Sequence, residues 1–193
     1  MSERGSILIS GAGIAGTTLA YWLRRYGFEV TVLERASALR DYGQNVDIRG
    51  AGREVVRRMG LEQAAERAAT GEVGTRFVDE YGCTVAEFPA GTGDSDGATA
   101  ELEILRGELV RLLADDTSNY VFGDQIASVS QDDTHVNVTF QHAPARKFDL
   151  VVLAEGINSR TRKAVFGDEV RVHDLGQYTA FGTIPRSPDD DGW

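Results

Sequence analysis

A chain of 193 residues, 41% hydrophobic and 26% charged, can bury a sizeable core, with roughly 70% of the extended chain's surface removed on folding. A formal net charge of −10 opposes binding to nucleic-acid phosphates, the single Cys83 excludes an intrachain disulfide, and His135, His142 and His173 lack metal-ligand spacing. No run approaches the roughly 18 apolar residues of a membrane span and the polar N-terminus has no signal-peptide core, so the expectation is a soluble, cytoplasmic protein without nucleic-acid or membrane partners.

Residues 6–10, Ser-Ile-Leu-Ile-Ser, read as a buried parallel strand that stops at a glycine. From Ala15, the positions Thr18, Leu19, Trp22, Leu23 and Tyr26 continue an i, i+3, i+4, i+7 pattern, which predicts a helix with one buried face. Gly27 sits at its C-cap, and Phe28 to Leu33 read as a second strand, giving a βαβ unit with parallel strands. Residues 36–50 are expected to be a loop, and Val55, Val56 and Met59 begin another helix that Gly60 stops.

Residues 73–79 and 84–88 predict a hairpin around Tyr81-Gly82. Between Arg76 and Arg106 there is no Lys or Arg, but Asp79, Glu80, Glu87, Asp94, Asp96, Glu101 and Glu103 fall there, as on a solvated acidic face. Residues 91–97 read as a loop, and Arg106 to Ala114 as a helix with Leu105, Leu109, Leu112 and Leu113 on one face. Residues 125–130 and 134–140 alternate on either side of an Asp-Asp turn. Asp149 to Ala154 is a continuous apolar strand ending at Glu155-Gly156, and 177–184 alternate again before Pro185, Pro188 and three aspartates.

The strongest chemical signal is Gly11-Ala12-Gly13-Ile14-Ala15-Gly16, set between the first strand and the first helix. Gly11 permits the tight turn, Gly13 lets a pyrophosphate approach the backbone, and Gly16 lets helix and strand pack closely. The phosphates then meet the free N–H groups and positive end of the helix. Glu34 ends the second strand, placed to accept hydrogen bonds from a ribose. It would repel a ribose 2′-phosphate, which disfavours NADP in this turn and leaves NAD or FAD. Arg35 beside it is a candidate to stack on adenine or neutralise phosphate.

Three ordered motifs resemble the FAD-dependent aromatic hydroxylases, the group A flavin monooxygenases. They are the fingerprint with Glu34-Arg35, the segment Glu103-Ile-Leu-Arg106-Gly-Glu-Leu109, and Asp149-Leu-Val-Val-Leu-Ala-Glu155-Gly156-Ile-Asn-Ser-Arg-Thr-Arg162. The resemblance implies that Arg106 reaches the cofactor and that Glu155-Gly156 belong to the family's "Asp-Gly" motif, associated with FAD and NAD(P)H. Leu153 stands where glycine is common and Glu155 where the family has Asp, so the carboxylate lies about one methylene further out. Residues 43–50 also resemble the tetracycline-inactivating branch, where an aspartate lies close to the flavin; this carries over Asp47 and Arg49.

The resemblance further implies an α/β fold: a Rossmann-like FAD-binding domain with a mostly parallel sheet and a β-meander over 1–168, including a 73–104 excursion. Residues 169–193 then begin a mixed-sheet substrate domain, with opening strands at 170–184. The implied reaction uses NADPH or NADH and O2 to hydroxylate an aromatic or polyketide-like molecule through a flavin C4a-hydroperoxide, with no catalytic triad or metal. The family's downstream Gly-Asp-Ala-x-His-x-x-x-Pro motif is not found, so a complementary C-terminal chain is an expected partner and uncovered apolar sheet faces are an expected liability. Another flavin or NAD oxidoreductase, or a non-catalytic FAD- or NAD-binding module, shares the same nucleotide fold and stays open.

Overall fold

The computed structural model describes residues 4–91, 102–114, 119–182, 185, 187 and 192–193. The expected loop beyond residue 91, the acids Asp94, Asp96 and Glu101, residues 183 and 184, and Pro188 with the three aspartates lie outside the described residues. In chain order the elements are β1 (Ser6–Ser10), α1 (Ile14–Arg25), β2 (Glu29–Glu34), β3 (Asn45–Asp47), α2 (Gly50–Arg58), α3 (Glu62–Arg67), β4 (Gly74–Val78) and β5 (Thr84–Pro89). There follow β6 (Glu103–Leu105), α4 (Arg106–Leu113), β7 (Asn119–Phe122), β8 (Ile126–Gln131), β9 (Val136–Phe140), β10 (Arg146–Phe148), β11 (Leu150–Leu153) and α5 (Arg160–Phe166). They divide into two compact units, Met1–Arg40 with Leu113–Tyr178, and Asp41–Leu112 with Thr179–Trp193.

The first unit is built on a four-stranded sheet, ordered β11-β1-β2-β7, with every pairing parallel. The continuous apolar run of β1 has its cause here, because each face of the strand is covered. Ile7 and Ile9 pack with Ala20 of α1 and with Val30 and Val32 of β2. Leu8 and Leu33 point the other way, onto Val138 and Phe148 of an antiparallel three-stranded sheet, β10-β9-β8. Helix, parallel sheet and meander therefore form three layers, as the resemblance implies.

The corner between β7 and β8 is held by Asp124, which is 5% exposed. Its Oδ1 accepts from the backbone N–H groups of Gln125 (2.8 Å), Gln141 (3.0 Å) and His142 (3.1 Å), and its Oδ2 from Ala143 (2.8 Å). Burial pushes the Asp124 carboxyl upward, but the amides of Ala143, Gln125 and His142 outweigh it and hold the pKa below the ordinary value.

In the second unit β3 and β6 form a short antiparallel ladder, with Asp47 opposite Glu103, and β4 and β5 form the expected hairpin. Helices α2 and α3 are joined by Arg53 and Arg57, both bonded to Glu62. These partly exposed pairs are screened by solvent and contribute little, so burial of Val56, Met59 and Ala65 does most to fix the two helices.

Three expectations need correction. The stretch read as a loop over 36–50 contains β3, because Asn45 to Asp47 find a ladder partner far along the chain in β6 (Asn45 opposite Leu105, Asp47 opposite Glu103). Leu105 does not share the buried face of the following helix. It lies in β6 and is exposed, and the α4 face is made by Leu109, Val110 and Leu113. Residues 170–182 form no strand: alternation makes a strand only where a neighbour completes the ladder of N–H and C=O bonds.

Candidate functional site

Because β11, β1 and β2 run parallel, their carboxyl ends share one edge, and the Gly-rich turn, Glu34 and Glu155 all emerge there. This is where open α/β sheets place their ligands. Gly11 has φ +109°, a region L side chains rarely adopt, and a Cβ there would fall 2.5 Å from the Ala154 carbonyl oxygen. A Cβ on Gly16 would overlap the carbonyl oxygen of Gly11 itself. Both glycines are required by close backbone approach, at the turn and at the helix–strand contact.

Gly13 is the N-cap of α1, in extended conformation, and no side chain caps the helix. Ile14, Ala15 and Gly16 form its first turn, with Ala15 exposed and no acidic residue present. Twelve residues of helix thus direct uncapped N–H groups and the positive end of the dipole outward from the strand edge. The cradle fits a pyrophosphate.

Glu34, 9% exposed, accepts from the Ala12 N–H through Oε2 (3.0 Å) and from the Ala36 N–H through Oε1 (3.0 Å). Its carboxylate therefore ties the end of β2 to the Gly-rich turn, a role that spacing alone did not suggest. A carboxylate offers about four acceptor positions, so each oxygen retains one for a ribose hydroxyl. Arg40 approaches Oε1 at 3.9 Å, whereas the neighbouring Arg35 is exposed.

Glu155, which stands in place of the family's Asp, is bonded by three hydroxyls. Its Oε1 accepts from Ser10 (2.5 Å) and Thr161 (2.7 Å), and its Oε2 from Ser159 (2.7 Å). Burial pushes its pKa up, but these hydroxyls prevail and hold the carboxyl below its ordinary value. The extra methylene lets it reach from the end of β11 to Ser10 on β1 and Thr161 on α5. Ser159 also caps α5, accepting from the Arg162 N–H (3.0 Å), and Gly156 makes the intervening turn with φ +77°. Ser10 and Thr161 are buried polar residues that no motif singles out; Ser10 is signalled only as a polar residue closing an apolar strand, and Thr161 lies in the first turn of α5.

The other carried-over residues lie in the second unit. Arg106 opens α4, its N–H donating to Gln44 (3.1 Å) and its side chain lying 3.2 Å from where a Gly43 Cβ would be. Asp47 is bonded by Arg49 through Nε (3.0 Å) and Nη2 (2.7 Å). Across the ladder from Asp47, Glu103 hydrogen-bonds Glu72, whose Oε1 also accepts from Asn45 (2.6 Å). Burial first, then the bond to Glu72 and the charges of Glu72 and Asp47, push Glu103 up to about 7.

A raised carboxyl pKa means the folded chain keeps a proton that the unfolded chain has released. The stabilisation from that proton is complete below the ordinary value of 4.5 and is lost as pH rises through about 7. Thermal melts of wild type and Glu103→Gln between pH 5 and 8 should show the variant gaining on wild type as pH rises. A difference that stays constant with pH would show that no proton is held there.

A sequence profile of the family described as "FAD binding domain" matches residues 4–189. The chain is 40% identical over 193 residues to an uncharacterized protein of Mycobacterium tuberculosis, covering 97% of this chain and 52% of that one. It is 42% identical over 200 residues to the flavin-dependent monooxygenase eupH of Phoma sp, covering 95% of this chain and 46% of the relative. Among solved structures it resembles the tetracycline destructase Tet(51), with 35% identity and a TM-score of 0.72 over 88% of this chain and 43% of the other. The chain thus spans about half the length of the relatives it matches. No helix among the described residues is long and apolar enough to cross a membrane. By the profile match across almost its whole length, the chain belongs to the FAD-binding-domain family of the group A flavin monooxygenases.

Proposed function

We propose that this chain is the FAD-binding part of a monooxygenase that hydroxylates an aromatic or polyketide-like small molecule, using NADPH or NADH and O2. One oxygen atom enters the substrate, the other leaves as water, and the nicotinamide is oxidised. FAD, when bound, supplies the hydride-accepting and oxygen-activating chemistry. Residues 1–168 are then the FAD-binding domain, and 169–193 the beginning of a substrate domain.

The chain's own residues bind and orient. The uncapped N–H groups of Ile14, Ala15 and Gly16 meet the pyrophosphate, Gly11 and Gly13 let it approach, and Glu34 accepts from the ribose while Arg35 flanks the adenine end. Glu155 and Gly156 shape the turn beside the cradle, and Asp47, Arg49 and Arg106 are assigned to the flavin end. The observation that supports this reading is the uncapped N-terminus of α1 at the carboxyl edge of the parallel sheet, reached by a Gly-rich turn whose backbone contacts admit no Cβ at Gly11 or Gly16.

Flavin titration of the purified chain tests the assignment. Wild type should quench FAD fluorescence stoichiometrically. Glu34→Ala, which strands the Ala12 N–H and removes the ribose acceptor, should weaken binding by about tenfold to a hundredfold, or roughly 1.4–2.7 kcal/mol. Equal affinity in the two proteins would remove Glu34 from the site.

A further inference from the structure

The ladder of β3 and β6 ends with Asn45 opposite Leu105, but the two chain segments stay together beyond it. The Arg106 N–H donates to the Gln44 carbonyl oxygen at 3.1 Å, which gives a partner to one of the N–H groups a helix start leaves without one. Residues 41–44 therefore run along the first turn of α4, and two glycines permit the approach. Gly107 is buried, and a Cβ there would overlap the Asp41 carbonyl group and come within 2.7 Å of the Tyr42 nitrogen. Gly43 has φ +143°, and a Cβ there would stand 3.2 Å from both Cβ and Cδ of Arg106 and 3.6 Å from its Cγ.

The stem of Arg106 is thus laid along the Gly43 backbone, carbon by carbon, while its head is left over. The Arg106 guanidinium makes no hydrogen bond or ion pair among the described residues. Arg49, Arg76 and Arg111 of the same unit, by contrast, pair with Asp47, Glu87 and Asp41. A fixed stem under an unpaired head suits a ligand contact, because the rotamer freedom that binding would otherwise remove is already gone. The segment is also tied at its other end. Asp41 Oδ2 accepts from Arg111 Nη2 at 3.0 Å, and Arg111 Nη1 donates to Glu108 at 2.7 Å. That ion pair is exposed and screened, so the backbone packing at Gly107 carries most of the hold.

We propose that Gly43, Gly107 and the Asp41–Arg111 pair are positioning residues. They clamp residues 41–44 against α4 and so hold the Arg106 side chain where its guanidinium meets the flavin end of FAD. The inference rests on the reading of the chain as the FAD-binding part of a monooxygenase, with Arg106 at that end. Among these five residues the resemblance gives a role to Arg106 alone. The guanidinium is a planar fork, so its contacts depend on direction as well as charge, and a clamp on the stem sets that direction. A Cβ on Gly107 meets backbone, which no side-chain rotation relieves, so it must lift the segment off the helix and release the stem.

The test is a double-mutant cycle in FAD affinity on the purified 193-residue chain. Arg106→Ala should weaken binding about tenfold to a hundredfold and Gly107→Ala about tenfold, whereas the double variant should match Arg106→Ala to within about twofold. At saturating FAD the visible absorption bands of the bound flavin should move in the same direction in both single variants, since each takes the guanidinium away from the ring system. A glycine that serves packing alone would leave those bands as in wild type and give additive losses of affinity; either result overturns the clamp. Circular dichroism checks each fold. Should Gly107→Ala fail it, Asp41→Ala, which adds no atom, takes its place in the cycle with an expected loss of about threefold and the same non-additivity. Wild-type affinity in Arg106→Ala removes Arg106 from the flavin end and overturns the clamp with it, while additive losses overturn the clamp and leave that assignment standing. A wild-type chain that binds no FAD overturns the functional reading itself, and the clamp falls with it.

Discussion

Gly16→Ala should abolish FAD binding and lower the melting temperature by on the order of 10 °C. The added Cβ overlaps the Gly11 carbonyl oxygen and sits 3.0 Å from its carbon. Both obstacles are backbone, so no side-chain rotation relieves them. The helix must move off the strand, or the turn must open and lose the bond from the Gly11 N–H to the Leu33 carbonyl oxygen (2.7 Å). Overpacking against a mobile side chain costs about 1–3 kcal/mol, and a backbone clash lies at or above that ceiling. At roughly 2–4 °C per kcal/mol for a chain of this size, 3 kcal/mol gives the stated shift. Gly52→Ala is the matched control. Gly52 lies inside α2 with nothing within 4 Å of a methyl added there, so alanine should leave flavin binding intact and add about 0.5–1 kcal/mol. Melts and flavin titrations of the two variants side by side check the claim, and a Gly16→Ala protein that melts and binds like wild type refutes it.

Asp124→Ala should destabilise the chain by about 3–4 kcal/mol without touching the nucleotide cradle. Four backbone N–H groups lose their acceptor together, around a carboxylate residue that is itself 5% exposed. Bonds to a charged acceptor contribute about 1.5–3 kcal/mol each, and a stranded buried donor costs about 1–3 kcal/mol, but the four share one carboxylate and do not add. Asp124→Asn separates the contributions. An amide oxygen at the Oδ1 position still serves Gln125, Gln141 and His142, and only the Ala143 N–H then faces another donor, so the loss should be smaller. The pH dependence follows from the lowered carboxyl pKa. The stabilisation is present above the ordinary value of 3.8 and is lost as pH falls through the lower, folded-state value. Denaturant melts at pH 7 and pH 3 should show the gap between wild type and Asp124→Ala narrowing in acid. A constant gap would mean that the carboxylate charge is not what holds the corner.

The parts of the fold that could be read from sequence are those in which a local pattern and its tertiary cause coincide. Ile7, Leu8 and Ile9 are all apolar because both faces of β1 are covered, and Gly16 is spaced for its contact with the nearby Gly11 backbone. Most of the elements that escaped are too short to show a period, and β7 and α3 also went unread. β3 and β6 have three residues each, and so has β10, whose Arg-Lys-Phe carries no strand signature until Phe148 is seen under Val138. The alternation read over 177–184 fails in the opposite direction, since its described part, 177–182, pairs with no strand among the described residues.

The same division runs through the site. Spacing singles out the glycines and Glu34, yet the bond from the Ala12 N–H to Glu34 depends on where the two strands end relative to each other. That Glu155 would gather hydroxyls from Ser10, Ser159 and Thr161 depends on β11 lying beside β1, a contact between residues 145 apart for the Ser10 pair. Asp124 gave no signal at all, because an Asp between two strands reads as an ordinary turn residue until its four amides are counted.

The strand order β11-β1-β2-β7 also governs how the molecule must be made. β1 lies between β2, which follows within 30 residues, and β11, where Ile7 pairs with Leu150. On a ribosome elongating at about 5–20 residues per second, β1 emerges first and then waits on the order of ten seconds for its second neighbour. Throughout that interval one edge of Ser-Ile-Leu-Ile-Ser stands open, and the whole segment Asp41–Leu112 must pass before the sheet closes. That open edge of β1 offers unpaired N–H and C=O groups to other strands until β11 arrives.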